Sequence, residues 1–116
     1  MDAARGRLEA EREKTLRDLA HLTHDFDAVV AASRDSNADD EHDPEGATIA
    51  IERSQIGALV QQARRHLEEI DAALTRVELG TYGACETCGG PIGGGRLEVR
   101  PVARACIRCA RTAARR

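Results

Sequence analysis

Rings are nearly missing from this sequence. Its 116 residues include no tryptophan, one phenylalanine, Phe26, and one tyrosine, Tyr82. A compact globular core is hard to fill without large side chains, so an elongated helical body is expected. No apolar run approaches the roughly 20 residues of a membrane span, and the opening MDAARGRLEAEREK has no hydrophobic signal region. The expectation is therefore no membrane contact and a cytoplasmic location, where thiols stay reduced and structural disulfides are rare. A basic amphipathic helix and an aromatic platform for bases are missing too, so no sequence-specific DNA contact is expected.

What charge there is lies unevenly. The net charge is −3, yet residues 1–80 hold 10 Lys and Arg against 18 Asp and Glu, a balance of −8. Residues 81–116 hold 7 against 2, a balance of +5. An acidic body with a basic end suits docking onto a partner that has patches of both signs. Solubilising the tail is the simpler use of the same arginines.

Apolar residues then give the body its form. Ile49, Ile56, Val60, Ala63, Leu67, Ile70, Leu74 and Val77 recur at alternating steps of three and four, broken where Arg53 fills its slot. Such spacing puts a seam of about four heptads along one helix face. Asp43-Pro44 marks the start, as N-cap and first helical residue, and Gly80 marks the stop. Leu8, Leu16, Leu19, Leu22, Phe26, Val29 and Val30 form a less regular stripe on an earlier helix. Between the helices lies the polar stretch SRDSNADDEHDPEG. Two helices of about thirty residues, each roughly 45 Å long, should fold back as an antiparallel coiled coil. A long parallel dimer competes with that arrangement, and the break at Pro44 and the matched lengths favour the hairpin. His21, His24 and His66 are read as surface or packing residues.

All four cysteines fall near the end, as Cys85/Cys88 and Cys106/Cys109 with seventeen residues between the pairs. Two Cys-x-x-Cys pairs at this distance are a zinc signature, because each turn supplies two thiolates to one tetrahedral ion. Gly89 and Gly90 permit the tight turn in which backbone N–H groups reach the sulfurs. Four thiolates close the coordination shell, so one Zn²⁺ is expected and its role is structural. The metal takes the place of a core that this Gly-rich segment cannot build. A thioredoxin-like redox site needs an α/β fold, and no strand pattern is present here.

The stretch ALTRVELGTYGACETCGGPIGGGRLEVRPVARACIRC resembles the DksA/TraR-type C4 zinc-finger regulators of bacterial RNA polymerase. The residues that carry the likeness are the Gly-Thr-Tyr-Gly lead-in, Gly89, Ile92, Arg96-Leu97-Glu98, Arg100-Pro101 and the Cys-Ile-x-Cys close. The likeness continues back through the coiled coil to DPEGATIAIE, while the first helix matches in length and character only. It implies a non-enzymatic transcription regulator. The finger would sit at the hairpin's base, and the hairpin would enter the polymerase secondary channel with an Asp-x-Ala element at its tip. Aligning Ala47 with the family alanine puts Glu45 at the acidic position, with Gly46 between them and Asp43 as a second nearby acid. Around the finger, Arg96, Arg100, Arg104 and Arg108 are placed to contact the polymerase.

One family property is not carried over. Some members bind guanosine tetraphosphate at the polymerase interface through cations and a leucine. Gln62, His66, Glu69 and Ala110 stand at those places here, so an anion would no longer be attracted.

The resulting expectation is a mainly α protein: a long antiparallel coiled-coil hairpin over 1–80 with an acidic tip loop at about 33–46, then a C4 zinc finger with a short basic C-terminal helix over 81–116. Two alternatives stay open. A Gre-type transcript-cleavage accessory would use the acids of the loop, Asp39, Asp40, Glu41, Asp43 and Glu45. A redox-sensing finger would release its zinc when the thiolates are oxidised.

Overall fold

The computed structural model describes residues 2–35 and 44–115. Among the described residues four helices follow one another: α1 (Asp2–Asp35), α2 (Pro44–Leu79), α3 (Gly94–Val99) and α4 (Ile107–Ala114). The long pair forms the expected hairpin. Among the described residues there is no strand, only an isolated antiparallel bridge between Ala84 and Pro91. None of the described helices is long and apolar enough to cross a membrane.

Pro44 is the first residue of α2, where a missing N–H costs nothing. Asp43, its expected cap, lies outside the described residues. The helices also reach further into the expected tip loop than the polar composition indicated, since α1 continues to Asp35 and α2 already includes residues 44–46.

At its other end α2 closes in a Schellman arrangement. Gly80 takes φ 75°, the Gly80 N–H donates to the Val77 carbonyl at 3.2 Å, and the Thr81 N–H donates to the Arg76 carbonyl at 2.9 Å. The left-handed turn satisfies carbonyls that the helix end would otherwise leave unpaired. It also turns the chain out of the helix and into the finger.

The chain forms two compact units, residues 1–13 with 68–116, and residues 14–67. The division does not follow chain order at residue 80, because the finger packs with the ends of both long helices. In that first unit Leu8, Ile70, Ala73, Val77 and Val102 make one buried cluster, with Leu74 and Tyr82 against it. Arg12 Nε donates to Asp71 at 2.8 Å, and Arg5 lies 4.0 Å from Glu78. As one residue number rises its partner's falls, so the helix ends run antiparallel.

The second unit holds the remaining parts of α1 and α2. Val60 and Thr15 are buried there, while Leu19, Leu22, Phe26, Val29 and Val30 are half-buried, as are Ile49, Ile56, Ala63 and Leu67. A Cβ built on Gly57 would lie 3.5 Å from the Phe26 ring, so α2 comes close to α1 at that point. The α1 stripe needs one correction. Leu16 is exposed and Thr15 takes the inward position, because alternating steps of four and three from Leu8 run through 12, 15, 19, 22 and 26 and pass over 16. At the break in the seam, Arg53 is exposed and lines an open hollow of about 290 Å³ with Phe26, Ser33, Ala50, Ser54 and Gly57.

Candidate metal centre

Each cysteine pair is presented by a local backbone device. In the first, the Cys85 N–H donates to the Gly90 carbonyl at 2.7 Å and the Gly89 N–H returns to the Cys85 carbonyl at 2.9 Å. Gly89 holds φ 76°, which a residue with a Cβ adopts only with strain. Gly90 contributes through its carbonyl and does not take a left-handed conformation. In the second pair, Cys106 is the extended residue that caps α4, and Cys109 lies in that helix's first turn. Glu86 N–H donates to the Arg104 carbonyl at 2.9 Å and brings the two knuckles together.

The result is a compact ligand set. The sulfurs of Cys85, Cys88, Cys106 and Cys109 all lie within 4.8 Å of one another, and the Cys88 and Cys106 sulfurs are 3.9 Å apart. A tetrahedron of thiolates at Zn–S distances of about 2.3 Å has edges of about 3.8 Å. The spacing therefore suits one Zn²⁺ and is far too long for an S–S bond. No disulfide joins any of the four cysteines.

The environment already favours negative charge at two of them. Hydrogen bonds from the backbone of Cys88 and then Cys106 pull the Cys85 thiol down to about 6. Cys106 is lowered chiefly by the backbone of Cys109. Cys109 moves the other way, pushed up to about 12 by its side-chain hydrogen bond to Cys106 and by burial. Four thiolates repel one another until a divalent cation replaces the last protons. Bound there, Zn²⁺ has no open position for water or substrate, and it acts as a structural centre.

Around the sulfurs sits a small core of Cys85, Ile92, Leu97 and Ala103, with Tyr82, Ala105, Cys106 and Cys109 against it. Leu97 comes from α3, a helix between the knuckles that no spacing signal announced. Three side chains then fasten the loop between α3 and α4. Tyr82 Oη donates to the Pro101 carbonyl at 2.9 Å, Arg96 Nε donates to the Ala105 carbonyl at 2.9 Å, and Arg76 reaches the Val102 carbonyl at 3.5 Å. Arg76 also lies 4.0 Å from Glu86. Burial and the nearby Arg104 lower the Arg76 pKa. Sequence reasoning missed Arg76 and the role of Tyr82, although the LTRVELGTYG stretch places both within seven residues of the helix end.

The four finger arginines fall into two kinds. Arg96 is half-buried and tied inward, whereas Arg100, Arg104 and Arg108 are exposed. Arg108 lines an open depression of about 470 Å³ with Thr87, Cys88, Cys109, Thr112 and Ala113. Of the expected tip residues, Ala47 is exposed on α2, Glu45 lies in its first turn, and Asp43 is outside the described residues. Gln62 and Glu69 are exposed and His66 and Ala110 half-buried.

Known proteins agree with this geometry. Residues 80–113 match the prokaryotic dksA/traR C4-type zinc finger. The chain is 37% identical over 103 residues to the Bacillus subtilis protein YteA, spanning 83% of this chain and 43% of that one. It is 58% identical over 40 residues to the RNA polymerase-binding transcription factor DksA of Caulobacter vibrioides, spanning 34% of this chain and 28% of the relative. The chain thus spans less than half the length of these relatives. The structure of the transcription factor DksA2 from Pseudomonas aeruginosa superposes with a TM-score of 0.60 at 28% identity, covering 97% of this chain and 84% of that one. With its matched finger, its helical hairpin and its single structural zinc site, the chain belongs to the DksA/TraR C4 zinc-finger family.

Proposed function

We propose that this protein is a non-enzymatic transcription regulator that binds RNA polymerase and inserts the turn end of its hairpin into the secondary channel. The observation that carries the reading is the combination of finger and hairpin in one fold, matched over 97% of this chain by a DksA2 transcription factor. The name of the Caulobacter relative supplies the partner. A closed four-thiolate centre offers no site for chemistry, which supports a binding role over an enzymatic one.

Two parts of the chain would then divide the work. Asp43, Glu45 and Ala47 act at the tip, where a carboxylate meets the polymerase interior. Arg100, Arg104 and Arg108 anchor the finger, and Arg96 holds the finger's own backbone. Guanosine tetraphosphate has no part in this reading, because Gln62, Glu69 and Ala110 stand where the family members that bind it carry cations, and His66 stands where they carry leucine.

The test compares Glu45→Ala with Arg100→Glu/Arg104→Glu in polymerase pull-down and transcript yield. The tip change should alter transcription with little loss of binding. The reversed arginines should weaken binding, most strongly at low salt where charge pairs are least screened. Equal effects on binding from both sets would refute the division.

A further inference from the structure

Exposed arginines alone do not choose a partner, since phosphates and carboxylates attract them equally. The segment 99–108 carries a second kind of information. Val99 is 82% exposed and Ile107 is 49% exposed, while Val102 and Ala103 between them are buried. Two branched aliphatic side chains are thus left in water within ten residues that also carry the exposed Arg100, Arg104 and Arg108. The segment is not loose. Its backbone is fastened at Pro101 by Tyr82, at Val102 by Arg76 and at Ala105 by Arg96. A fastened segment presents its side chains in one arrangement and loses little freedom on binding.

The chemistry separates two partner classes. Nucleic-acid surfaces combine cations with polar donors and, for single strands, with rings on which bases stack. The only tyrosine of this finger is half-buried, with its hydroxyl on the Pro101 carbonyl. Aliphatic residues among cations fit a protein surface instead, where an apolar centre is rimmed by polar and charged groups. The net charge of +5 over residues 81–116 fixes the sign of that rim on the other side.

We propose that residues 99–108 dock onto an acidic protein surface, with Val99 and Ile107 as the apolar anchors and Arg100, Arg104 and Arg108 opposite carboxylates. The proposal rests on the RNA polymerase reading and names what the polymerase must offer there: an apolar recess bordered by Asp or Glu. The anchors set how long the complex lasts, and the arginines set how fast it forms and how salt weakens it.

The experiment uses the full zinc-loaded chain and purified RNA polymerase. Affinity is measured across a salt series for wild type, Val99→Ser, Ile107→Ser and Arg100→Glu/Arg104→Glu, with zinc content checked in each. The two serine variants together should lower affinity by about tenfold with the salt dependence unchanged. The arginine variant should flatten the salt dependence. Should a serine variant lose its zinc, Val99→Ala and Ile107→Ala replace it with the same expectation. Wild-type binding that the serine or alanine variants match would overturn the anchors and leave the polymerase reading standing. No binding by the wild type would remove both. Loss of self-association in the variants, or competition by nucleic acid at this surface, would reassign the patch to a second copy of the chain or to a nucleic acid, and either outcome refutes the proposal.

Discussion

The two compact units of this chain bury very different amounts of themselves. The unit formed by residues 1–13 and 68–116 encloses Leu8, Ile70, Ala73, Val77 and Val102 in one cluster and Cys85, Ile92, Leu97 and Ala103 in another. The unit formed by residues 14–67 buries Val60 and Thr15 among its described residues and leaves the rest of its seam half-open. Both contain antiparallel stretches of the same two helices. What differs is a third layer: in the first unit the finger covers the helix ends, whereas two helices alone cannot enclose a side chain on all sides. Val102 shows how tightly finger and helices are joined, since it comes from between the knuckles and sits among α1 and α2 residues.

The largest effect should follow loss of the metal. Structural zinc contributes apparent free energies of about 10–16 kcal/mol in zinc-finger peptides. Cys106→Ser should therefore unfold the finger, and with Val102 withdrawn it should also loosen the cluster around Leu8 and Ile70. Hydrogen exchange should speed up over residues 68–110 and over the start of α1, while helix amides of residues 14–67 change little. Uniform loss across both units would erase the distinction. Acid should act in the same direction, because protons compete with the metal for four thiolates, and apparent zinc affinity should fall as pH falls.

Truncations in the seam should be next. Ile70 is fully buried and Leu67, one step away in the neighbouring unit, is half-buried. Ile70→Ala should cost about 2–5 kcal/mol, and Leu67→Ala should cost less, since more of its side chain already meets water. Chemical denaturation of the two variants checks the order. A larger loss at Leu67 would contradict the contrast in packing.

These differences were only partly legible in the residues. The α2 seam was, because alternating steps of three and four survive in any two-helix pairing, and all eight seam residues are buried or half-buried. The zinc ligands were legible because four cysteines at knuckle spacing leave few other uses. Thr15 was not, since a hydroxyl residue at an inward position carries no apolar signal, and Leu16 beside it drew the stripe outward. Ala73 was hidden for another reason: it lies off the alternating seam positions 70, 74 and 77, and its full burial comes with finger residue Val102 in the same cluster. The inward turn of Arg96 was hidden as well. Its flanking residues carry no signal that sets it apart from the exposed Arg100, Arg104 and Arg108, and only the fold shows that its Nε meets the Ala105 carbonyl.

The smallest effect concerns the fastening of the finger. Tyr82→Phe removes the bond to the Pro101 carbonyl and keeps the ring against both clusters. A loss of about 0.5–1.5 kcal/mol is expected, read as faster exchange near residues 100–103 with zinc content unchanged. No change there would mean that the ring's packing alone positions the loop.

Equilibrium binding of the zinc-loaded chain to purified RNA polymerase, with Cys106→Ser as the paired control, tests the proposed function most directly. Saturable one-to-one binding by the wild type is expected, together with its loss when the finger can no longer hold zinc. A zinc-loaded, folded wild type that fails to bind the polymerase would contradict the proposed function outright.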